Sequence, residues 1–250
     1  MAGRDDMLIT VATTAALLLL VQRLARLADA VWLQRVGWRS LLATTGWLGV
    51  PVHEGAHLIA CLLTRRRIVQ WRLLAPDART GVLGYVVWQP GSGPLAWLTE
   101  LLVGFAPLAA SLALMLLLAW LEGGAWPSRA ASPDQLLRDL RALAGLGAEH
   151  VQAGGWMRTA TLLRLYALVA IAAHGVPSTT DLAGTWRGLL LLATLALAVW
   201  GSGRLLGFGL GIQLLTFAAQ LCGALLPALA IALAAVVLRG LVALAVPQRG

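Results

Sequence analysis

The length of its apolar runs is what most limits how this chain can fold. Residues 205–246 carry a single charged side chain, Arg239. About 20 such residues cross a bilayer as a helix, whereas a helix on a water-soluble protein keeps a polar face. Shorter apolar runs lie near residues 7–21, 41–63, 95–121, 156–173 and 182–201. The whole chain is 59% hydrophobic and 12% charged, against about 45–50% and about 25% in soluble domains. An ordinary cytosolic globule and a disordered chain are both excluded. The expectation is an all-α polytopic membrane protein, one integral membrane domain over residues 1–250 with six or seven transmembrane helices.

The net charge of +8 does not point to nucleic acid. Every basic side chain is arginine, and the arginines sit at the ends of apolar runs. There the positive-inside bias and lipid phosphates account for them. The bilayer is therefore the expected partner and a cell membrane the expected location. Arg65-Arg66-Arg67 is the densest basic cluster, so that end of the second run is expected at the cytoplasmic face.

Ala28-Asp29-Ala30 has the form of a signal-peptidase site. The segment Arg4-Asp5-Asp6 before the first run is not positive, so an uncleaved helix is expected, followed by a polar connector over residues 23–39. Cys61 and Cys222 lie inside apolar runs and read as small buried hydrophobes.

Residues 68–88 differ from their surroundings. β-Branched and aromatic residues flank Pro76-Asp77-Ala78-Arg79-Thr80-Gly81, which predicts a short β-hairpin between the second and third spans. In the polar stretch 122–155, Ser132-Pro133-Asp134 can begin a short amphipathic helix. Gly223 and Pro227 divide the last run into a helical hairpin or kink it as one long helix over residues 205–246.

Chemistry concentrates in His53-Glu54-Gly55-Ala56-His57, an HExxH sequence inside the second apolar run. Side chains four apart share a helix face. Two imidazoles so placed can hold one metal ion, and the intervening glutamate can reach a water molecule on it. Ionisable groups in lipid cost several kcal/mol, roughly, unless paired, so three of them there call for a reason. A catalytic zinc takes a third protein ligand. Of Glu100, Glu122, Glu149, His150, His174 and Asp181, alternation of the spans puts Glu122, Glu149 and His150 on the far side. Glu100, His174 and Asp181 remain.

These residues resemble the site-2 proteases, intramembrane zinc metalloproteases in which HExxH on a transmembrane helix is joined by an aspartate near the end of a later core helix. Pro177-Ser178-Thr179-Thr180-Asp181-Leu182-Ala183-Gly184 looks like a variant of that second motif. Gly104-Phe105-Ala106-Pro107 is similar to the small-residue stretch of the family's middle helix. The resemblance covers residues 41–184. Here glycine follows the aspartate three residues late, and the glycine of the family's HExGH stands one position earlier, as Gly55.

The resemblance implies Zn2+ on His53, His57 and Asp181, and Glu54 as the catalytic base. It implies a membrane-anchored protein substrate cut near the cytoplasmic face. His174 is a candidate to stabilise an oxyanion, and Glu100 a candidate support behind the ligands. An unwound substrate strand could pair with an edge of the 68–88 hairpin. Other readings are a non-catalytic protease-like scaffold that binds single-span partners, an ion or proton transporter, and another membrane zinc hydrolase with Glu100 as third ligand.

Overall fold

The structure, a computed structural model, describes residues 4–77, 80–121, 138, 141–142, 145, 148–205 and 210–247. Its first helix, α1 (Arg4–Arg35), continues through the segment expected to be a polar connector. The arginines there are good helix formers, and Gln22, Ala28 and Trp32 are buried, so tertiary packing extends the helix. The second apolar run forms one helical path in three parts: α2 (Trp38–Leu41), a π-helical turn (Leu42–Gly46) and α3 (Trp47–Leu63).

Strands β1 (Ile68–Arg72) and β2 (Tyr85–Trp88) pair antiparallel, with a register irregularity between Ile68 and Gln70. The hairpin is as the sequence predicts, although Ala78 and Arg79 of its turn lie outside the described residues. Gly81 takes a φ of 71°, a backbone region that favours glycine. Helix α4 (Pro94–Leu121) follows. Glu122 and most of the expected helix from Ser132 also lie outside the described residues.

The chain then forms α5 (Gly155–His174), the short α6 (Thr179–Ala183) and α7 (Trp186–Leu205). The fifth run is thus not one helix from residue 182. A capping box between Ser178 and Asp181 starts a separate short helix, and a turn at Gly184–Thr185 closes it before α7. The last run is one helix, α8 (Leu210–Ala245), with Pro227 inside it.

Among the described residues, three helical stretches, Met7–Arg35, Pro94–Leu121 and Gly211–Ala245, are long and apolar enough to cross a membrane. The chain is a helical membrane protein with one small two-stranded sheet. Leu19, Leu20 and Leu27 on α1 and Leu238, Leu241 and Leu244 on α8 are exposed. In water such surfaces would be aggregation liabilities; against acyl chains they cost nothing.

One apolar core joins four helices through Val21 and Ala28 of α1, Met115 and Ala119 of α4, Ile171 and Ala172 of α5, and Ala228, Ala232 and Val236 of α8. A second cluster ties Trp32, Leu41, Val50, Leu83 and Ala243 together. Helices α1 and α8 lie side by side and run parallel. Thr14 donates to the Cys222 carbonyl, Arg239 pairs with Asp29 at 2.7 Å, and Arg35 donates to the Leu244 carbonyl. Two parallel helices cannot be joined by a short turn, so nothing in local sequence announces this pairing.

Candidate metal centre

Helix α3 carries His53 and His57 one turn apart, and their rings meet edge to face with centroids 4.9 Å apart. Asp181 reaches them from α6. Its Oδ2 lies 3.3 Å from His53 Nε2, and its Oδ1 lies 3.2 Å from His57 Nε2. Around a tetrahedral ion with bonds of about 2.0 Å, neighbouring donors are roughly 3.3 Å apart. Two imidazole nitrogens and one carboxylate are a donor set suited to a divalent cation. His57 Nε2 is buried and makes no aligned hydrogen bond despite its closeness to Asp181. A buried imidazole nitrogen without a partner is costly in a protein interior, and a cation would satisfy it.

The other ring nitrogens show how the histidines are held. His53 Nδ1 donates to the His174 carbonyl at 2.6 Å, and His57 Nδ1 donates to the Val103 carbonyl at 2.9 Å. A carbonyl can only accept, so Nδ1 must carry the proton in both rings. That leaves both Nε2 lone pairs free and turned towards Asp181. Such support by carbonyl or carboxylate is the usual companion of metal-binding histidine.

Asp181 is positioned by the cap it forms. Its Oδ2 accepts from the Ser178 backbone N–H at 2.6 Å, and its own N–H donates to Ser178 Oγ at 3.1 Å.

Helix α6 can approach α4 because residue 104 is glycine. A Cβ there would stand 2.6 Å from the Asp181 carbonyl oxygen. Gly49 does the same on α3, where a Cβ would lie 2.5 Å from both the Ala170 carbonyl and His174 Cδ2. Gly55, inside the HExxH sequence, has nothing within 4 Å of such a Cβ. Gly49→Ala is therefore expected to destabilise the protein by about 1–3 kcal/mol through overpacking. Gly55→Ala should stabilise it by about 0.5–1 kcal/mol through helix propensity alone. Thermal melts in detergent check the opposite signs.

His174 and Glu100 are placed close by but behind the donors. His174 offers His53 its carbonyl, while its ring Nε2 hydrogen-bonds Thr45 Oγ1 at 3.0 Å. Glu100 Oε2 accepts from Trp88 Nε1 at 3.0 Å, and Oε1 lies 3.3 Å from the Arg66 guanidinium. Trp88 in turn packs on His57 with ring centroids 5.6 Å apart. Arg66, from the basic cluster, is thus tied to the start of α4, where it also bonds the Ala96 carbonyl and Thr99. Sequence reading passed over Thr45, Trp88 and the Val103 carbonyl, of which only Val103 left a signal: a proline four residues later in the same helix.

Glu54 faces a cavity of about 460 Å³ walled by α1, α3, residues 81–86 and residues 173–181. Gly84 lets the hairpin pass close over it, since a Cβ there would stand 2.9 Å from Glu54 Cγ. The Val86 backbone hydrogen-bonds the Glu54 carboxyl. The chain therefore presents a three-donor group, an adjacent carboxylate and the backbone of β2 to one cavity. Among the described residues, His53, His57 and Asp181 are the one group of histidine, cysteine and acidic side chains so gathered. Comparison with protein-family models, curated proteins and solved structures finds no match to this chain.

Proposed function

We propose that the protein is an intramembrane zinc metalloprotease, akin to the site-2 proteases its motifs resemble, that cuts membrane-anchored proteins near the cytoplasmic face. The observation that carries this reading is the convergence of His53 Nε2 and His57 Nε2 on the two oxygens of Asp181. Both imidazoles are locked in the matching tautomer, and Glu54 opens on the adjoining cavity.

His53, His57 and Asp181 would hold the ion. Bound zinc supplies Lewis-acid activation of water and of the scissile carbonyl. The chain's own residues do the rest. Glu54 accepts a proton from the attacking water on its carboxylate and delivers it to the amine nitrogen as the C–N bond breaks. An acid and an amine are released. His174 keeps His53 oriented through its carbonyl and lines the same cavity, where the sequence expects it to stabilise an oxyanion. The cavity walls keep lipid away. Among the described residues the sheet consists of β1 and β2, and an unwound substrate strand would pair along the edge of β2 away from β1, next to the contact between the Val86 backbone and the Glu54 carboxyl.

The parallel course of α1 and α8 bears on the count of crossings, because successive crossings alternate in direction. Six would set α8 antiparallel to α1. Positions 175, 185 and 188 stand against Ser111, Gly104 and Trp97 in turn, so the path from α5 into α7 descends along α4 in one direction. We read the end of α5, α6 and the start of α7 as one interrupted path along α4, which with α1, α3, α4 and α8 gives five crossings among the described residues, where the sequence suggested six or seven. Non-helical backbone at membrane depth is tolerated where it lines a cavity, and residues 176–178 and 180–181 line this one.

The test is metal analysis of purified protein together with cleavage of co-expressed single-span substrates. One zinc per chain, removable by chelator and lost in His53→Ala, with cleavage lost in parallel, is the expected result. Protein that carries no zinc after zinc-supplemented purification would overturn the reading. A transporter or a binding scaffold would give no cleavage products in either case.

A further inference from the structure

Prolines inside transmembrane helices leave a backbone carbonyl without its usual donor, and one of them lies beside this site. Pro107 sits within α4 and is fully buried. It has no N–H, so the helical bond from residue 107 back to the carbonyl of residue 103 cannot form. That carbonyl belongs to Val103 and is the one that accepts from His57 Nδ1 at 2.9 Å. The His174 carbonyl holding His53 is also short of a helical donor, because His174 ends α5 and the last carbonyls of a helix have none. Ser178, whose N–H would be next in line, bonds Asp181 instead. Both histidines are thus gripped by carbonyls that the backbone has left vacant.

We propose that Pro107 is a positioning residue of the metal centre: by deleting one backbone donor it frees the Val103 carbonyl to fix His57 as the Nδ1–H tautomer, with Nε2 presented towards Asp181 and the ion. This rests on the zinc reading above. Two features argue against a purely structural part for Pro107. Proline is the least favourable residue in a helix interior, so alanine there would favour α4. Moreover, a helical donor restored at residue 107 would compete for the lone pairs that His57 uses.

The test compares Pro107→Ala and Pro107→Gly, which both restore the N–H but differ in helix propensity. Pro227→Ala serves as control, since Pro227 is equally buried inside α8 with none of the three donors on that helix. Zinc affinity is read by competition with a chelator. The His57 tautomer is read in metal-free protein by NMR of selectively 15N-labelled histidine, of which the chain has four.

The expected result is a loss of about 10- to 100-fold in zinc affinity, similar in both Pro107 variants, with the Nε2–H tautomer of His57 newly populated. Pro227→Ala should show neither change. Zinc affinity and tautomer unchanged in both Pro107 variants would overturn the proposal. So would a loss of zinc that merely follows the lowering of melting temperature. Wild-type protein that binds no zinc would overturn the metal reading, and the metal-free NMR comparison would still decide whether Pro107 sets the tautomer.

Discussion

Glu54→Gln is expected to lower cleavage of a single-span substrate by about 100- to 10,000-fold, the range for removal of a general acid–base group, while zinc stays bound. The reason is the division of labour on α3. His53 and His57 face Asp181 through their Nε2 atoms, and their Nδ1 atoms are held by the His174 and Val103 carbonyls. None of these contacts involves the Glu54 side chain. Glutamine has the same shape, so it still fits beneath Gly84, where a Cβ would come within 2.9 Å of the residue 54 Cγ. It cannot take up a proton at neutral pH, which is the one property the mechanism asks of this position. Zinc content by elemental analysis and product formation by gel, measured on the same preparation, check the pair of outcomes. Full cleavage by Glu54→Gln would show that another group moves the proton.

How much of this site is legible in sequence differs from residue to residue. The HExxH spacing fixes two imidazoles on one face because a helix returns to the same side every four residues. The π-helical turn at Leu42–Gly46 lies before that stretch and leaves the relation intact. The hairpin is equally readable, since β-branched residues around a Pro/Gly turn have few other choices.

The placement of Asp181 is partly readable. Ser178-Thr179-Thr180-Asp181 has the spacing of a helix N-cap with an acceptor three residues on, which is what α6 uses. That this cap faces α3 depends on Gly104 admitting α6 against α4, and no local pattern encodes it. The extension of α1 beyond Arg23 escapes sequence reading for a related reason. Arginines look like the end of a span, yet long flexible stems are compatible with a helix whose buried side packs on α8. The parallel pairing of α1 with α8, cemented by Asp29 and Arg239, is a contact between the two ends of the chain. It follows from the direction of every helix in between, which composition does not carry.

The choice of Asp181 over Glu100 as third donor yields the other large effect. Asp181→Ala should lower zinc affinity by more than about 100-fold, because it removes a ligand and not only the support behind one. Glu100→Ala should leave zinc in place, since its carboxylate is engaged with Trp88 and Arg66. The alanine variant alone is ambiguous, because Asp181 also closes the capping box of α6, and loss of a cap costs about 0.5–2 kcal/mol. Asp181→Asn separates the two roles. Its side-chain oxygen can still accept from the Ser178 N–H, so α6 should keep its start and the melting temperature should stay near wild type. A neutral amide is a far poorer ligand than a carboxylate for a divalent ion, so zinc should still be lost. If Asp181→Asn retains zinc while Glu100→Ala loses it, the third ligand is Glu100, and the capped aspartate is a structural element of the interrupted crossing.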